Sequence, residues 1–137
     1  MRFMMFMYPQ IAEEDWTPSA DDVAEMNRYN VELREAGMLL ALDGLRPPSD
    51  GASVVFEGRE ARVVDGPFAE AKEVVGGYWI IQTKTREEAI EWASRVPVNA
   101  GEVAVELRQI FEMTDFPEEV QAMFEDQSPP EQPTSTL

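Results

Sequence analysis

The chain has 137 residues, 27 of them Asp or Glu against 11 Lys or Arg, for a net charge of −16, and contains neither cysteine nor histidine. That length holds one hydrophobic core and not two. The missing residues exclude disulfides, thiol chemistry, Ser-His-Asp triads, a His general base, His-ligated haem and His or Cys zinc sites, and the charge repels nucleic acid and anionic lipid.

Any acid or base must therefore be Asp, Glu, Lys, Tyr or water. No apolar run approaches a membrane span, and Arg2 to Tyr8 is too short for the apolar region of a signal peptide, so a cytoplasmic protein with no membrane partner is expected.

Arg2 to Tyr8 is apolar on both alternating faces, with Phe3, Met5 and Met7 on one and Met4, Phe6 and Tyr8 on the other. This is the pattern of a central strand covered on both sides, and Pro9 ends it. A helix then starts with Thr17 capping ahead of Pro18, or with Ser19 capping against Asp22. It is expected to run to about Ala36, with Gly37 as its left-handed terminal residue. Its apolar stripe is Val23, Met26 and Leu33 with Tyr29 alongside, interrupted by Asn30, a residue type that such a stripe tolerates as a satisfied hydrogen-bonder.

Met38 to Leu45 predicts a second strand, and Arg46 to Gly51, with two prolines, a loop. Ser53 to Glu57 and Arg59 to Asp65 predict a hairpin around Gly58. Gly77 to Thr83 is a further strand, with Tyr78 and Ile80 opposite Trp79 and Ile81. Thr85, with Glu88 closing a capping box, starts a second helix that buries Ala89, Ile90, Trp92, Ala93 and Val96 before Pro97 stops it. Glu102 to Glu112 is the last long strand, with Val103, Val105, Leu107 and Phe111 on one face and Ala104, Glu106, Arg108 and Ile110 on the other.

The order is strand, helix, strand, hairpin, strand, helix, strand, which with right-handed crossovers gives an α+β, ferredoxin-like split βαβ fold with an inserted β-hairpin. Residues 1–113 form its domain. Phe116 to Phe124 predict a short amphipathic helix within 114–125, docking through Phe116, Val120, Met123 and Phe124; residues 126–137 read as a disordered tail. The two central strands are apolar on both sides, so a second sheet should cover the face away from the helices. A second copy of the chain supplies it most simply, predicting a homodimer.

Chemistry concentrates in Asp65-Gly66-Pro67-Phe68-Ala69-Glu70-Ala71-Lys72-Glu73, at the end of the hairpin. Asp, Gly and Pro are strong turn formers, so a purely structural role accounts for much of this run. The functional reading sets Asp65, Phe68, Glu70 and Lys72 beside Tyr8, Tyr78 and Trp79 in a cleft, where close carboxylates raise one another's pKa and a neighbouring Lys opposes the shift. Ligand binding is favoured over acid-base catalysis on that account. Glu106 and Arg108, sharing a face, suggest an exposed ion pair or a dimer contact. Glu13, Glu14 and Asp15 lack the spacing and glycine of a cation loop, and Gly76-Gly77 lacks a phosphate-loop spacing, so no metal or cofactor is expected.

The first strand, the helix ending Leu33-Arg34-Glu35-Ala36-Gly37, the Asp65 to Glu70 run, Lys72-Glu73 and Gly76-Gly77-Tyr78 resemble the DGPF branch of the YCII-related family over about Met1 to Met113. The resemblance implies a dimeric α/β-barrel type of assembly and, by analogy alone, a link to a sigma-type transcription factor. The wider family's His-Asp pair does not carry over, because the helix position it implies falls near Asn27 and the chain has no histidine. Two classes of function follow. One is a module binding a small polar or aromatic molecule, or serving regulation. The alternative is a lyase or isomerase with Asp65 or Glu70 as acid or base and Tyr78 as relay.

Overall fold

Arg2–Tyr8 forms β1, and its two-sided apolar pattern places it inside a four-stranded sheet ordered β2, β5, β1, β6, where β2 is Leu39–Gly44, β5 Gly77–Gln82 and β6 Ala104–Gln109. The computed structural model describes residues 1–65, 73–98 and 103–124. Every pairing in the sheet is antiparallel. With helices α1 (Ala20–Glu35) and α2 (Arg86–Ser94) as crossovers, the result is a mixed α+β fold of ferredoxin-like order. The two strands expected to be central, β1 and β5, are the central ones.

Local chemistry sets the helix ends. Ser19, not Thr17, caps α1: its hydroxyl accepts the Asp22 amide at 3.2 Å while the Asp22 carboxylate accepts the Ser19 amide at 3.3 Å. Gly37, at φ +75°, takes the left-handed position after the helix. Thr85 caps α2 by accepting the Glu88 amide at 3.1 Å, which is half of the expected box.

The core lies between the helices and one sheet face. Phe3, Met5, Trp79 and Ile81 from the strands meet Tyr29 and Leu33 of α1 and Ala89 and Trp92 of α2, with Val96 just beyond. Met5, Leu33 and Ile81 are fully enclosed, each stabilising the fold by roughly 1.5 to 3 kcal/mol. Tyr29 is the hinge of the aromatic packing, its ring meeting Trp79 edge-on at 5.9 Å and Trp92 at 6.2 Å.

Several expectations change. Val23 is exposed, because the contact stripe of α1 begins at Met26 and its first turn projects past the core. Ile90 is also exposed: α2 and β6 do not pack flush, and Ile90 lines a groove of about 390 Å³ between them with Val98, Val103 and Val105. Phe111 is 69 % exposed, since β6 ends at Gln109 and strand alternation no longer applies to it. It stacks instead on Phe116 at 4.9 Å.

The hairpin is β3 (Ala52–Glu57) and β4 (Glu60–Asp65), a separate two-stranded sheet. Its two-residue turn is Gly58-Arg59, with Gly58 at φ +63° and Arg59 not positive, the pattern of a type II′ turn. Val54, Phe56 and Val63 on this ribbon are exposed. At the other end of the chain, Glu118–Phe124 forms α3, held by Phe116 against Phe124 at 5.5 Å and by the Gln121 side-chain amide donating to the Phe116 carbonyl at 2.8 Å. Met123 points outward rather than docking. The predicted tail at 126–137 lies outside the described residues.

Candidate functional site

Strand alternation assigns the sheet face opposite the core. Phe3, Met5, Trp79 and Ile81 are inward, so Met4, Phe6 and Tyr8 of β1, and Tyr78 and Ile80 of β5, are on the open face. The register sets them in rows across the strands. Asp43, Tyr78, Phe6 and Glu106 make one row; Ala41, Ile80, Met4 and Arg108 make the next. Trp79 is therefore a core residue, 4 % exposed, and not the cleft neighbour of Tyr78 that was expected. Adjacent residues of a strand cannot line the same face.

Two phenol–carboxylate pairs frame this face. Tyr78 Oη donates to Asp43 Oδ2 at 2.8 Å, and Tyr8 Oη donates to Glu106 Oε1 at 3.3 Å. The hydrogen bond to Asp43, then desolvation and the carboxylate charge, raise the Tyr78 pKa above its ordinary value. Burial first, then the charge and hydrogen bond of Glu106, raise that of Tyr8, with Arg108 acting the other way. Both phenols hold their protons at neutral pH, so they act as donors. Met4, Phe6 and Ile80 supply the apolar floor between them.

The backbone fixes this arrangement at the start of β5. The Gly76 amide donates to the Met7 carbonyl at 2.7 Å, and the Leu45 amide donates to the Gly76 carbonyl at 3.0 Å. A Cβ at Gly76 would stand 2.8 Å from two ring carbons of Pro9, and one at Gly77 would stand 3.2 Å from the Asp43 carbonyl. At 76 glycine lets the chain pass that close to the Pro9 ring, and at 77 a side chain would need the Asp43 carbonyl to give by a few tenths of an ångström. Trp16 ties in the loop before α1 by donating its indole N–H to the Leu45 carbonyl at 2.9 Å.

Of the residues singled out from sequence, Tyr8 and Tyr78 share this face, on neighbouring strands. Asp65 is the last residue of β4, its backbone paired with Ala52. Phe68, Glu70 and Lys72 lie outside the described residues. Asn27, in the place implied for the wider family's histidine, is exposed on α1. Glu106 is the acceptor of Tyr8 and does not pair with Arg108, the ion pairs among the described residues being Arg2–Glu112, Arg46–Asp50 and Arg62–Glu57. Glu13 accepts the Ser49 amide at 3.0 Å, and no group of three or more Asp or Glu among the described residues could hold a metal ion. No helix of the described residues is long and apolar enough to cross a membrane.

Asp43 was missed by sequence reasoning. Its signal was available only as parity: it stands two residues from Ala41 in a strand whose other face is apolar. Which tyrosine it would meet depends on the pairing of β2 with β5.

Comparison with known proteins agrees with the fold. The YCII-related domain matches residues 1–114 of the chain. An uncharacterized protein of Rhizobium meliloti (strain 1021) is 30% identical over 80 residues, which cover 57% of this chain and 64% of that protein. The matched stretch is thus less than two thirds of that relative's length.

Proposed function

The chain belongs to the YCII-related domain family, and on that premise we propose that it is a small-molecule binding module whose cleft is the open face of the four-stranded sheet. One observation carries the reading. In a single row, the Tyr78–Asp43 pair and Glu106, which accepts from Tyr8, bracket the apolar surface of Phe6. Few polar groups, fixed in position around an apolar floor, are what a site for a small polar or aromatic molecule requires. On this reading the Asp65 to Glu70 run supports membership of the DGPF branch.

A second copy of the chain, packed sheet to sheet, would turn the open face into an enclosed cleft; Met4, Phe6 and Ile80 support that assembly by being apolar and only half-buried in the single chain. The lyase or isomerase alternative needs Tyr78 to relay a proton for Asp65 or Glu70. Its phenol is engaged with Asp43, which favours the binding role.

A thermal-shift screen of the wild type and of Tyr78→Phe against a metabolite library tests the proposal. Binding must raise apparent stability, so at least one compound should raise the wild-type Tm by about 1 °C or more at saturation and do so less in the variant. A library that leaves the wild type unmoved overturns it.

A further inference from the structure

Resting on that reading, we infer that the ligand of this face is a small amine with an aromatic or alkyl body, its ammonium held at the Asp43–Tyr78 end and its body laid over Phe6, Ile80 and Met4. Hydrogen-bonding capacity decides the sign. Both phenol protons on the face are already given to carboxylates. What remains at the Asp43–Tyr78 end is acceptor capacity: the second carboxylate oxygen of Asp43 and the lone pairs of the Tyr78 oxygen. A ligand must bring the donors.

Charge selects the cation among donors. Asp43 belongs to no ion pair among the described residues, and its carboxylate's hydrogen-bond partner there is the Tyr78 hydroxyl. At the opposite end of the row, Glu106 has Arg108 two residues along the same strand face, and Arg108 stands across from Met4 in the next row. The two ends are therefore unequal: Arg108 shares the strand face of Glu106, whereas β2 and β5 carry no Lys or Arg near Asp43's end of the row. Arg2, the other arginine at this sheet, is held by Glu112 at 2.7 Å. The net charge of −16 raises the local concentration of any cation before it docks.

Size follows from the strands. Four strands about 4.8 Å apart make a row of roughly 14 Å from Asp43 to Glu106. An ammonium at Asp43 with a single ring or short alkyl chain covers Tyr78 and Phe6 and stops short of Arg108. An anionic ligand would have to set its charge against Asp43 or seek Arg108 beside Glu106, and neither place offers a free donor without a carboxylate beside it.

Three probes of one size separate the possibilities: 2-phenylethylamine, 2-phenylethanol and 3-phenylpropionate, titrated into the full chain at about 0.15 M salt, where screening suppresses long-range attraction. The amine should bind about tenfold more tightly than the alcohol, the worth of one charge-assisted hydrogen bond, and the anion least. Asp43→Asn, which keeps an acceptor for Tyr78, should remove that tenfold preference. Glu87→Gln, which deletes the same unit of charge on α2, should leave it intact, and Arg108→Gln should leave it or strengthen it. Equal binding of amine and alcohol overturns the amine assignment while the binding-module reading stands. So does a preference that survives Asp43→Asn or is lost equally in Glu87→Gln. If none of the three probes binds although the metabolite screen succeeds, the inference falls alone.

Discussion

Asn30 accepts the indole N–H of Trp79 at 2.8 Å, joining the buried face of α1 to the second central strand. Both groups are inside the core, and each satisfies the other. The pairing explains a polar residue in an otherwise apolar helix stripe. Replacing Asn30 by Leu keeps the volume but leaves the indole N–H without a partner, at an expected cost of about 1 to 3 kcal/mol in urea unfolding. On a Trp79→Phe background the same substitution should cost less. Equal costs on the two backgrounds would show that the hydrogen bond does not couple the pair.

Tyr29 gives the fold an alkaline limit. Burial pushes its phenol up from 10.0 to about 12, partly offset by Arg95. Its hydroxyl donates to the Trp92 carbonyl at 2.9 Å. Because the folded value lies above the unfolded one, the unfolded chain loses the proton first. The contribution is fully present below about pH 10 and is lost as pH rises toward about 12, amounting to roughly 2 to 3 kcal/mol. Tyr29→Phe should be less stable at pH 8 yet show a shallower fall over that window, as followed by chemical denaturation at stepped pH.

Gly76→Ala tests the frame of the site. The added methyl meets the rigid ring of Pro9 at 2.8 Å, and neither group is the free end of a flexible chain. A loss of about 1 to 3 kcal/mol is expected, as for overpacking. Pairing the change with Pro9→Ala should recover part of it. Full stability in Gly76→Ala alone would mean that the start of β5 shifts without penalty.

Assembly can be read from sedimentation. Face-to-face packing of two copies predicts twice the 15.5 kDa chain mass at micromolar concentration, and Ile80→Glu, placing a charge at the centre of the open face, should give the single-chain mass. A wild-type mass of 15.5 kDa under those conditions removes the dimer.

Much of the fold was legible because its signals are local. The two-sided apolar pattern of Arg2 to Tyr8 marked a central strand, Gly37 marked the end of α1, and Gly58 marked the hairpin turn. Asn30 was legible as a satisfied polar residue, though its partner was not. What escaped was set by pairing between distant strands. Asp43 meets Tyr78 across 35 residues and Glu106 meets Tyr8 across 98, and no local pattern encodes that register. Placing Trp79 beside Tyr78 in the cleft ignored the strand's own parity, which was readable. Phe111 was placed on the face of Val103, Val105 and Leu107 by extending alternation past Gln109, where the strand stops and Phe111 stacks on Phe116.

The paired glycines at 76 and 77 have one more consequence. Because main-chain hydrogen bonds to Met7 and from Leu45 hold that entry point, the position of the floor owes little to the identity of Asp43, Tyr78 or Glu106. Those rim positions can be exchanged while the strands keep their places. On the binding reading proposed above, such a scaffold separates the part that determines shape from the part that determines taste, so that ligand preference would change by single substitutions at the rim.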